Sequence, residues 1–164
     1  MDRRLCTTAK KSQLSDPSDA QNLDDFLCFA IYSTNLAVNR LNMTVLEGLG
    51  LTYLQYVVLV ALYEKDDQTV GALGEKMFLD SSTLTPLLKR LETMGHLTRQ
   101  RDPKDERVVR LRLTPKGRKL REKALDFREQ LVKKMGLSAN EFRSLREDLV
   151  KLRSNLLDLI PSKA

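Results

Sequence analysis

Hydrophobic residues recur every three or four positions through most of the chain after residue 22, which is the spacing of amphipathic α-helices. The pattern predicts helices over approximately residues 25–46, 52–64, 70–78 and 80–94, with two more beginning at residues 114 and 138. Residues that typically cap helices lie at the predicted ends: Gly48 and Gly50 follow the first helix, and Thr52 precedes the second. The periodicity therefore indicates a mainly helical chain.

One segment has a different period. Val109, Leu111 and Leu113 alternate with arginines, which predicts two strands, Leu97–Arg101 and Val108–Leu113, around a turn at residues 102–105. The predicted order is helix, helix, helix-turn-helix, hairpin, helix, helix. This order is typical of a winged helix-turn-helix module, so the expected fold class is mainly α with a small β wing.

The same pattern divides the chain. Residues 1–22 are polar and without period, and we expect a mobile N-terminal tail. Residues 23–164 are expected to form a single domain, in which residues 52–113 make the winged helix-turn-helix lobe. The terminal helices, within 23–50 and 114–160, carry apolar stripes that the small lobe can hardly cover. A homodimer would cover them, and packing back onto the same chain is the alternative.

Composition excludes several classes of protein. With 164 residues, 41% of them hydrophobic and 30% charged, the chain suits one globular domain. Its longest apolar run, Val57–Tyr63, is far too short to span a membrane, and the N-terminus lacks the apolar stretch of a secretory signal, so we expect a cytoplasmic protein. Two cysteines and one histidine leave little for a disulfide framework or a metal site. No cofactor is expected.

Positive charge is concentrated between His96 and Lys123. That segment has eleven basic and four acidic side chains, so its positive excess is larger than the formal net charge of +6 of the whole chain. Clustered lysines and arginines bind a phosphate backbone by releasing its counterions. The segment therefore favours a polyanion as a partner, although a charged face that only contacts solvent would have the same composition.

Two sets of motifs resemble one known family. The stretch Leu79–Glu92, followed by Gly95 and by Asp105-Glu106-Arg107, resembles the DNA-binding lobe of the MarR family of bacterial repressors. The segments Leu27–Tyr32 and Leu51–Tyr56 are similar to the branch of that family that senses organic hydroperoxides. The resemblance covers about residues 23–160. It implies a homodimeric, winged-helix transcriptional repressor that binds a pseudo-palindromic operator in double-stranded DNA.

The candidate DNA contacts lie on the predicted fourth helix and on the wing: Ser81, Ser82, Thr83, Thr85, Pro86, Lys89, Arg90, Asp105 and Arg107. Small hydroxyls at a helix N-terminus can approach base edges or phosphates, and the two basic residues can reach the flanking backbone. A capped amphipathic helix without a ligand is the alternative. On the wing, Arg107 suits a narrow, A·T-rich minor groove. Asp105 either orients its guanidinium, as the resemblance implies, or makes a surface ion pair with it.

Cys28 is the candidate redox sensor. Its thiol lies near the positive end of the predicted first helix, with Asp24 and Asp25 close by in sequence, and the hydroxyl of Tyr32 lies one turn further on the same face. The resemblance implies that organic hydroperoxide oxidises this thiol and that tyrosines of the partner subunit hold its reduced form. Tyr53 matches one of those tyrosines, whereas Asn42 stands where the other is expected.

A second thiol, that of Cys6, is expected either to be a bystander or to trap oxidised Cys28 as a disulfide. A buried, unreactive cysteine is the alternative for Cys28 itself.

Three functions remain open at this point. The first is a repressor that releases its operator when Cys28 is oxidised. In the second, a small aromatic or phenolic ligand releases the DNA instead. The third is a thiol peroxidase or a Cys-His hydrolase, which a single histidine and the lack of an evident oxyanion site disfavour. We therefore expect no enzyme activity.

Overall fold

Residues 22–160 are described by a computed structural model of the chain, except for the side chains of residues 24, 122, 124, 125 and 128. The predicted tail, with Cys6, lies outside the described residues apart from Asn22. The helices are α1 (Leu27–Leu46), α2 (Tyr53–Glu64), α3 (Val70–Met77), α4 (Ser81–Thr93), α5 (Pro115–Lys119), α6 (Arg121–Lys134) and α7 (Ala139–Leu159). The strands are β1 (Gln68–Thr69), β2 (Leu97–Arg101) and β3 (Val109–Leu113). Short 3-10 turns occupy Leu23–Asp25 and Glu47–Leu49. The predicted fold class, mainly α with a winged helix-turn-helix, is confirmed.

The helix starts follow from local sequence. Thr52 accepts a hydrogen bond from the backbone N–H of Gln55, whose side chain accepts one from the N–H of Thr52, so α2 begins with a complete capping box. Ser138 and Glu141 make the same reciprocal pair at the start of α7. Such pairs satisfy N–H groups that have no partner within the helix.

The wing is a three-stranded antiparallel sheet in the order β1-β3-β2. Leu97 pairs with Leu113 and Arg101 with Val109, so the predicted hairpin is confirmed. The prediction of only two strands is wrong, because Gln68 pairs with Leu111 and adds β1 to the far edge of β3. A two-residue strand has no periodic signal, so the pattern of hydrophobic residues does not predict it.

The fifth predicted helix is divided at Leu120, which ends α5 and precedes α6. Thr114 caps α5 and Pro115 occupies its first turn, so the helix begins where the sequence predicts. Gly117 of α5 lies so close to His96 that a Cβ at this position would be 2.0 Å from the backbone oxygen of His96. Only glycine permits this approach between α5 and the chain that follows α4.

Two apolar clusters form the core. The larger contains buried leucines of α2, α3, α4 and the sheet: Leu59, Leu62, Leu73, Leu84, Leu88, Leu91, Leu97 and Leu111. It holds the helix-turn-helix against the wing. The smaller cluster joins Leu46, Tyr56 and Phe127, and the rings of the last two meet edge to face at 4.5 Å. Burial of these side chains is the main source of stability for the lobe.

The chain divides into two compact units, one ending at Asn39 and the other beginning at Arg40. In the first, Ser33 donates a hydrogen bond to the backbone oxygen of Phe29, within α1. Among the described residues, no single helix has the length and hydropathy of a membrane span; the pair 27–49 and 53–64 passes that test only together and is bent by 71° between its parts. The predicted single domain over residues 23–164 stays a prediction.

Candidate nucleic-acid interface and thiol site

The second helix of the helix-turn-helix, α4, begins at an acidic cap. Asp80 is the N-cap, and its carboxylate accepts hydrogen bonds from the N–H of Thr83 at 2.8 Å and the hydroxyl of Ser82 at 2.6 Å. These bonds, first that from Ser82, lower the pKa of Asp80 to about 2. A negative charge thus lies at the N-terminus of α4, where the sequence alone pointed to a phosphate site.

The exposed side of α4 carries the predicted contact residues. Ser81, Ser82, Thr83 and Pro86 are exposed, Thr85 is half-buried, and the opposite side packs into the core through Leu84, Leu88 and Leu91. The hydroxyl of Thr85 donates to the backbone oxygen of Ser81 at 2.6 Å, which leaves its lone pairs free to accept. The amphipathic pattern has therefore placed the small hydroxyls together on the outer surface.

Backbone and side-chain hydrogen bonds order the turn of the wing. Asp105 accepts a hydrogen bond from the backbone N–H of Arg107 at 3.0 Å, and its carbonyl accepts one from Val108 at 2.9 Å. Neither expected contact of Asp105 with the guanidinium is present: no ion pair joins these side chains. Asp105 shapes the backbone that carries Arg107, and the Arg107 side chain stays exposed.

Only some of the basic residues are free of acidic partners. Arg99 lies near Glu92, and Arg118 is 2.6 Å from Asp66. Arg110 and Arg112 both bind Asp67. By contrast, Lys89, Arg90 and Arg107 are exposed and make no ion pair with any described residue. The exposed charges of α4 and of the wing tip are therefore available to a polyanion.

Asp67, in the turn before β1, binds two arginines of β3, and the sequence pattern does not predict these contacts. Its oxygens are 2.7 Å from Nε of Arg110 and 3.0 Å from Nε of Arg112, and these bonds, the one from Arg112 first, lower its pKa to about 2. Arg110 also reaches Asp102 at 2.9 Å. The one available signal was the alternation of arginines along β3, which predicts a charged outer face without naming its acidic partners.

A groove of about 400 Å³ runs between α4 and the wing. Thr69 and Ser81 line one side, and Arg99, Arg107 and Val109 line the other. The Nε atom of Arg99 is buried in the protein and has no hydrogen-bond partner among the described residues. The groove therefore combines hydroxyls and guanidinium groups.

Cys28 is the second residue of α1, and its thiol is free and exposed. The buried alternative for Cys28 is therefore wrong for the single subunit. Tyr32, one turn further along α1, is 58% exposed, and its ring centroid is 6.4 Å from that of Phe29. No group of three or more His, Cys, Asp or Glu side chains that could hold a metal ion occurs in the described part of the chain.

Tyr53 begins α2 and heads a row of aromatic rings. Its ring centroid is 6.3 Å from that of Tyr56, which in turn packs on Phe127. Tyr53 itself is 36% exposed. Asn42 of α1 is completely buried, and neither its amide nitrogen nor its oxygen has a hydrogen-bond partner among the described residues.

The apolar stripe of α7 is uncovered. None of its residues is buried, and the leucines of the stripe that are largely exposed are Leu145, Leu149, Leu156 and Leu159. Within the compact unit that contains α7, which begins at Arg40, packing onto the same chain, the alternative to a dimer, therefore does not cover this face. A contiguous exposed apolar face of this kind marks a protein interface.

Comparison with known proteins assigns the family. The family model "Transcriptional regulator SarA/Rot" matches residues 40–124. The regulator TtmR of Methylorubrum extorquens is 43% identical over 159 residues, with 94% of this chain and 81% of TtmR covered. The organic hydroperoxide resistance transcriptional regulator of Bacillus subtilis is 39% identical, with 87% and 92% covered. Reduced AbfR of Staphylococcus epidermidis bound to DNA superposes with a TM-score of 0.73 at 31% identity, with 81% and 91% covered.

Proposed function

The chain belongs to the SarA/Rot family of MarR-like, winged-helix transcriptional regulators, and from this premise we propose a repressor that organic hydroperoxides release from its operator. The sensor is Cys28, and the protein acts as a cytoplasmic homodimer without enzyme activity. The observation that carries the proposal is the exposed thiol at the start of α1, in a chain 39% identical to a regulator named for hydroperoxide resistance.

The uncovered apolar face of α7 supports the proposed dimer. We assign the interface to the helices within residues 23–50 and 114–160, and DNA binding to residues 52–113. A two-fold dimer presents its α4 helices to successive major grooves, so the operator is a pseudo-palindrome with half-sites about one helical turn apart.

The DNA contacts are assigned to α4 and the wing. Base edges are contacted by the hydroxyls of α4 beside Pro86, which belong to Ser81, Ser82, Thr83 and Thr85. Lys89 and Arg90 bind phosphates, and Arg107, on the turn shaped by Asp105, enters the minor groove.

The sensing step is a two-electron oxidation. The thiolate sulfur of Cys28 attacks an oxygen of the hydroperoxide, the O–O bond breaks, an alcohol leaves, and the product is a sulfenic acid. Attack by a second thiol, from Cys6 or a small thiol, then forms a disulfide and releases water. Tyr32 and the partner subunit's Tyr53 would hydrogen-bond the reduced sulfur, and oxidation removes that acceptor and adds bulk. Asn42 in place of a tyrosine leaves this set of hydroxyls smaller than in the family branch.

A mobility shift on the DNA upstream of the protein's own gene tests the proposal. Reduced protein should bind, cumene hydroperoxide should release it, and dithiothreitol should restore binding. Cys28→Ser should bind the DNA and should not be released by the hydroperoxide. Cys6→Ser should still lose affinity for the DNA when Cys28 is oxidised to the sulfenic acid. Release of Cys28→Ser by hydroperoxide would contradict the assignment of the sensor. Sedimentation of a monomer at micromolar concentration would contradict the dimer.

A ligand-released repressor is the second candidate function. The observation in its favour is the groove of about 400 Å³ beside α4, which the guanidinium groups of Arg99 and Arg107 line together with hydroxyl groups. Its effector would be a small aromatic or phenolic anion. Release of DNA by such a compound from Cys28→Ser as well as from the wild type distinguishes this mechanism from thiol oxidation.

A further inference from the structure

We propose that Asp67 is a positioning residue for DNA binding, which holds the turn of the wing, and with it Arg107, in the orientation that enters the minor groove. The inference rests on the proposed role of Arg107. Asp67 is distant from that arginine in sequence and acts through other residues. The connection is a row of alternating charges on the outer face of β3, Arg112, Asp67, Arg110 and Asp102, which we call the charge row.

The first half of the charge row fixes β3 to the turn before β1. Arg112 donates to both carboxylate oxygens of Asp67, at 3.0 and 3.1 Å. Arg110 donates from Nε to the carboxylate at 2.7 Å and from a terminal nitrogen to the Asp67 carbonyl at 2.8 Å. Asp67 thus binds two neighbouring arginines with four hydrogen bonds. Forked contacts of this kind fix direction as well as distance.

The second half reaches the wing turn. Arg110 donates its remaining terminal nitrogen to Asp102 at 2.9 Å, and the Asp102 side chain is only 16% exposed. Asp102 accepts from the backbone N–H of Lys104 at 2.8 Å and donates its own N–H to the carbonyl of Val108, also at 2.8 Å. These bonds close the turn that carries Arg107. A displacement of Arg110 is therefore transmitted directly to the wing tip.

The backbone at Asp67 supports a dedicated role. Its φ of 56° lies in the left-handed region, which residues other than glycine, asparagine and aspartate rarely adopt. Only aspartate among these three offers two anionic oxygens to two arginines. Asparagine and glycine keep the turn, and this permits substitutions that remove the charge without forcing the chain to refold locally.

The charge row also sets how many arginines DNA can attract. Arg110 and Arg112 are neutralised on the outer face of the wing, so neither is a free phosphate ligand. Asp67→Gly leaves Asp102 with Arg110 but removes the one acidic partner that Arg112 has among the described residues. The freed Arg112 would add about one phosphate contact, which steepens the dependence of log K on log salt by about 0.9. A loss of folded protein would not change this slope.

The test compares binding of Asp67→Gly and wild type to two duplexes made from the upstream DNA, one with A·T-rich and one with G·C-rich flanks. Fluorescence anisotropy at several salt concentrations gives the flank preference and the salt slope. We expect the preference of Asp67→Gly for A·T flanks to fall about fivefold or more. Asp67→Asn, which keeps an acceptor and the left-handed turn, should retain part of it.

Two controls separate positioning from general effects of charge. Glu64→Gln removes the same charge and breaks the surface ion pair with Lys76 in the same lobe, and it should keep the flank preference. In an Arg107→Ala background, Asp67→Gly should cause no further loss of preference, because the residue that it positions is absent. Hydrogen exchange should be faster at the amide of Val108 in Asp67→Gly and unchanged in α4.

Each outcome decides a separate point. If the wild type prefers A·T flanks and Asp67→Gly prefers them equally, this inference is wrong while the proposed function stands. If the wild type binds without any flank preference, the role of Arg107 is wrong and the inference falls with it. An additive loss in the double variant would also overturn the inference, since Asp67 would then act independently of the wing tip.

Discussion

Thr114 joins three elements of the lobe, and its replacement by alanine should destabilise the protein by a predictable amount. The hydroxyl accepts a hydrogen bond from the N–H of Gly117 at 3.0 Å, as the cap of α5. It also donates to the carbonyl of Gly95 at 2.6 Å, just beyond the end of α4. The backbone N–H of Thr114 binds the carbonyl of His96 at 3.1 Å, so the residue connects α4, β3 and α5.

The size of the effect follows from the two side-chain bonds. Loss of an N-cap costs about 1 kcal/mol, and loss of a hydrogen bond between neutral groups costs about 1 kcal/mol more. Thr114→Ala should therefore lower the free energy of unfolding by about 2 kcal/mol. For a chain of this length, that corresponds to a fall in Tm of about 4–8 °C. Urea unfolding followed by circular dichroism, at one protein concentration throughout, measures it.

Two matched variants test the reasoning. Thr114→Ser keeps both hydrogen bonds and should stay within about 0.5 kcal/mol of the wild type. Thr93→Ala removes an exposed hydroxyl that donates only to the carbonyl of Lys89 in its own helix, so it should change stability by less than about 0.5 kcal/mol. The account is refuted if Thr114→Ser loses as much stability as Thr114→Ala, or if Thr93→Ala does.

Three further outcomes are expected. Arg107→Ala should bind more weakly, chiefly to operators with A·T-rich flanks, and equal affinities across flanks in a titration would contradict the wing contact. The pKa of Asp80 is about 2, below its unfolded value, so its contribution to stability is complete above about pH 4 and is lost as the pH falls through 2. Asp80→Asn keeps the cap and should therefore flatten the plot of unfolding free energy against pH between these values. Asn42→Leu should raise the free energy of unfolding by about 1–2 kcal/mol in urea titrations, because it removes a buried amide without partners, and a loss of stability would show that the amide is satisfied in the folded protein.

Local signals explain why most of the architecture could be predicted from the sequence. The capping boxes at Thr52 and Ser138, and Pro115 after Thr114, depend on residues within three positions of one another. The alternation that predicts β3 is equally local. The pairing of β1 is different, because Gln68 meets Leu111 across more than forty residues and only two residues take part. No periodicity can indicate a contact of this kind.

The candidate site shows the same division. The hydroxyls of α4 and the tip of the wing could be identified from residue type and position, because the helix and the hairpin themselves place them outward. The contact of Asp105 could not, since carboxylate–guanidinium pairing and an Asx turn are both available to the same Asp-x-Arg spacing. In the structure, the carboxylate of Asp105 accepts from the N–H of Arg107 and forms the Asx turn. Which bond forms depends on the backbone of the wing.

The positive charge of the segment between His96 and Lys123 predicts a polyanionic partner. The excess of basic over acidic residues, however, does not equal the number of charges that contact the DNA. Asp66 and Asp67 lie about thirty residues before the segment, and folding brings them against Arg110, Arg112 and Arg118. These three guanidinium groups are then occupied within the protein. Lys89 and Arg90 lie outside the segment, yet α4 carries them on its exposed face. We therefore expect a salt slope that corresponds to fewer phosphates per subunit than the eleven basic residues of the segment.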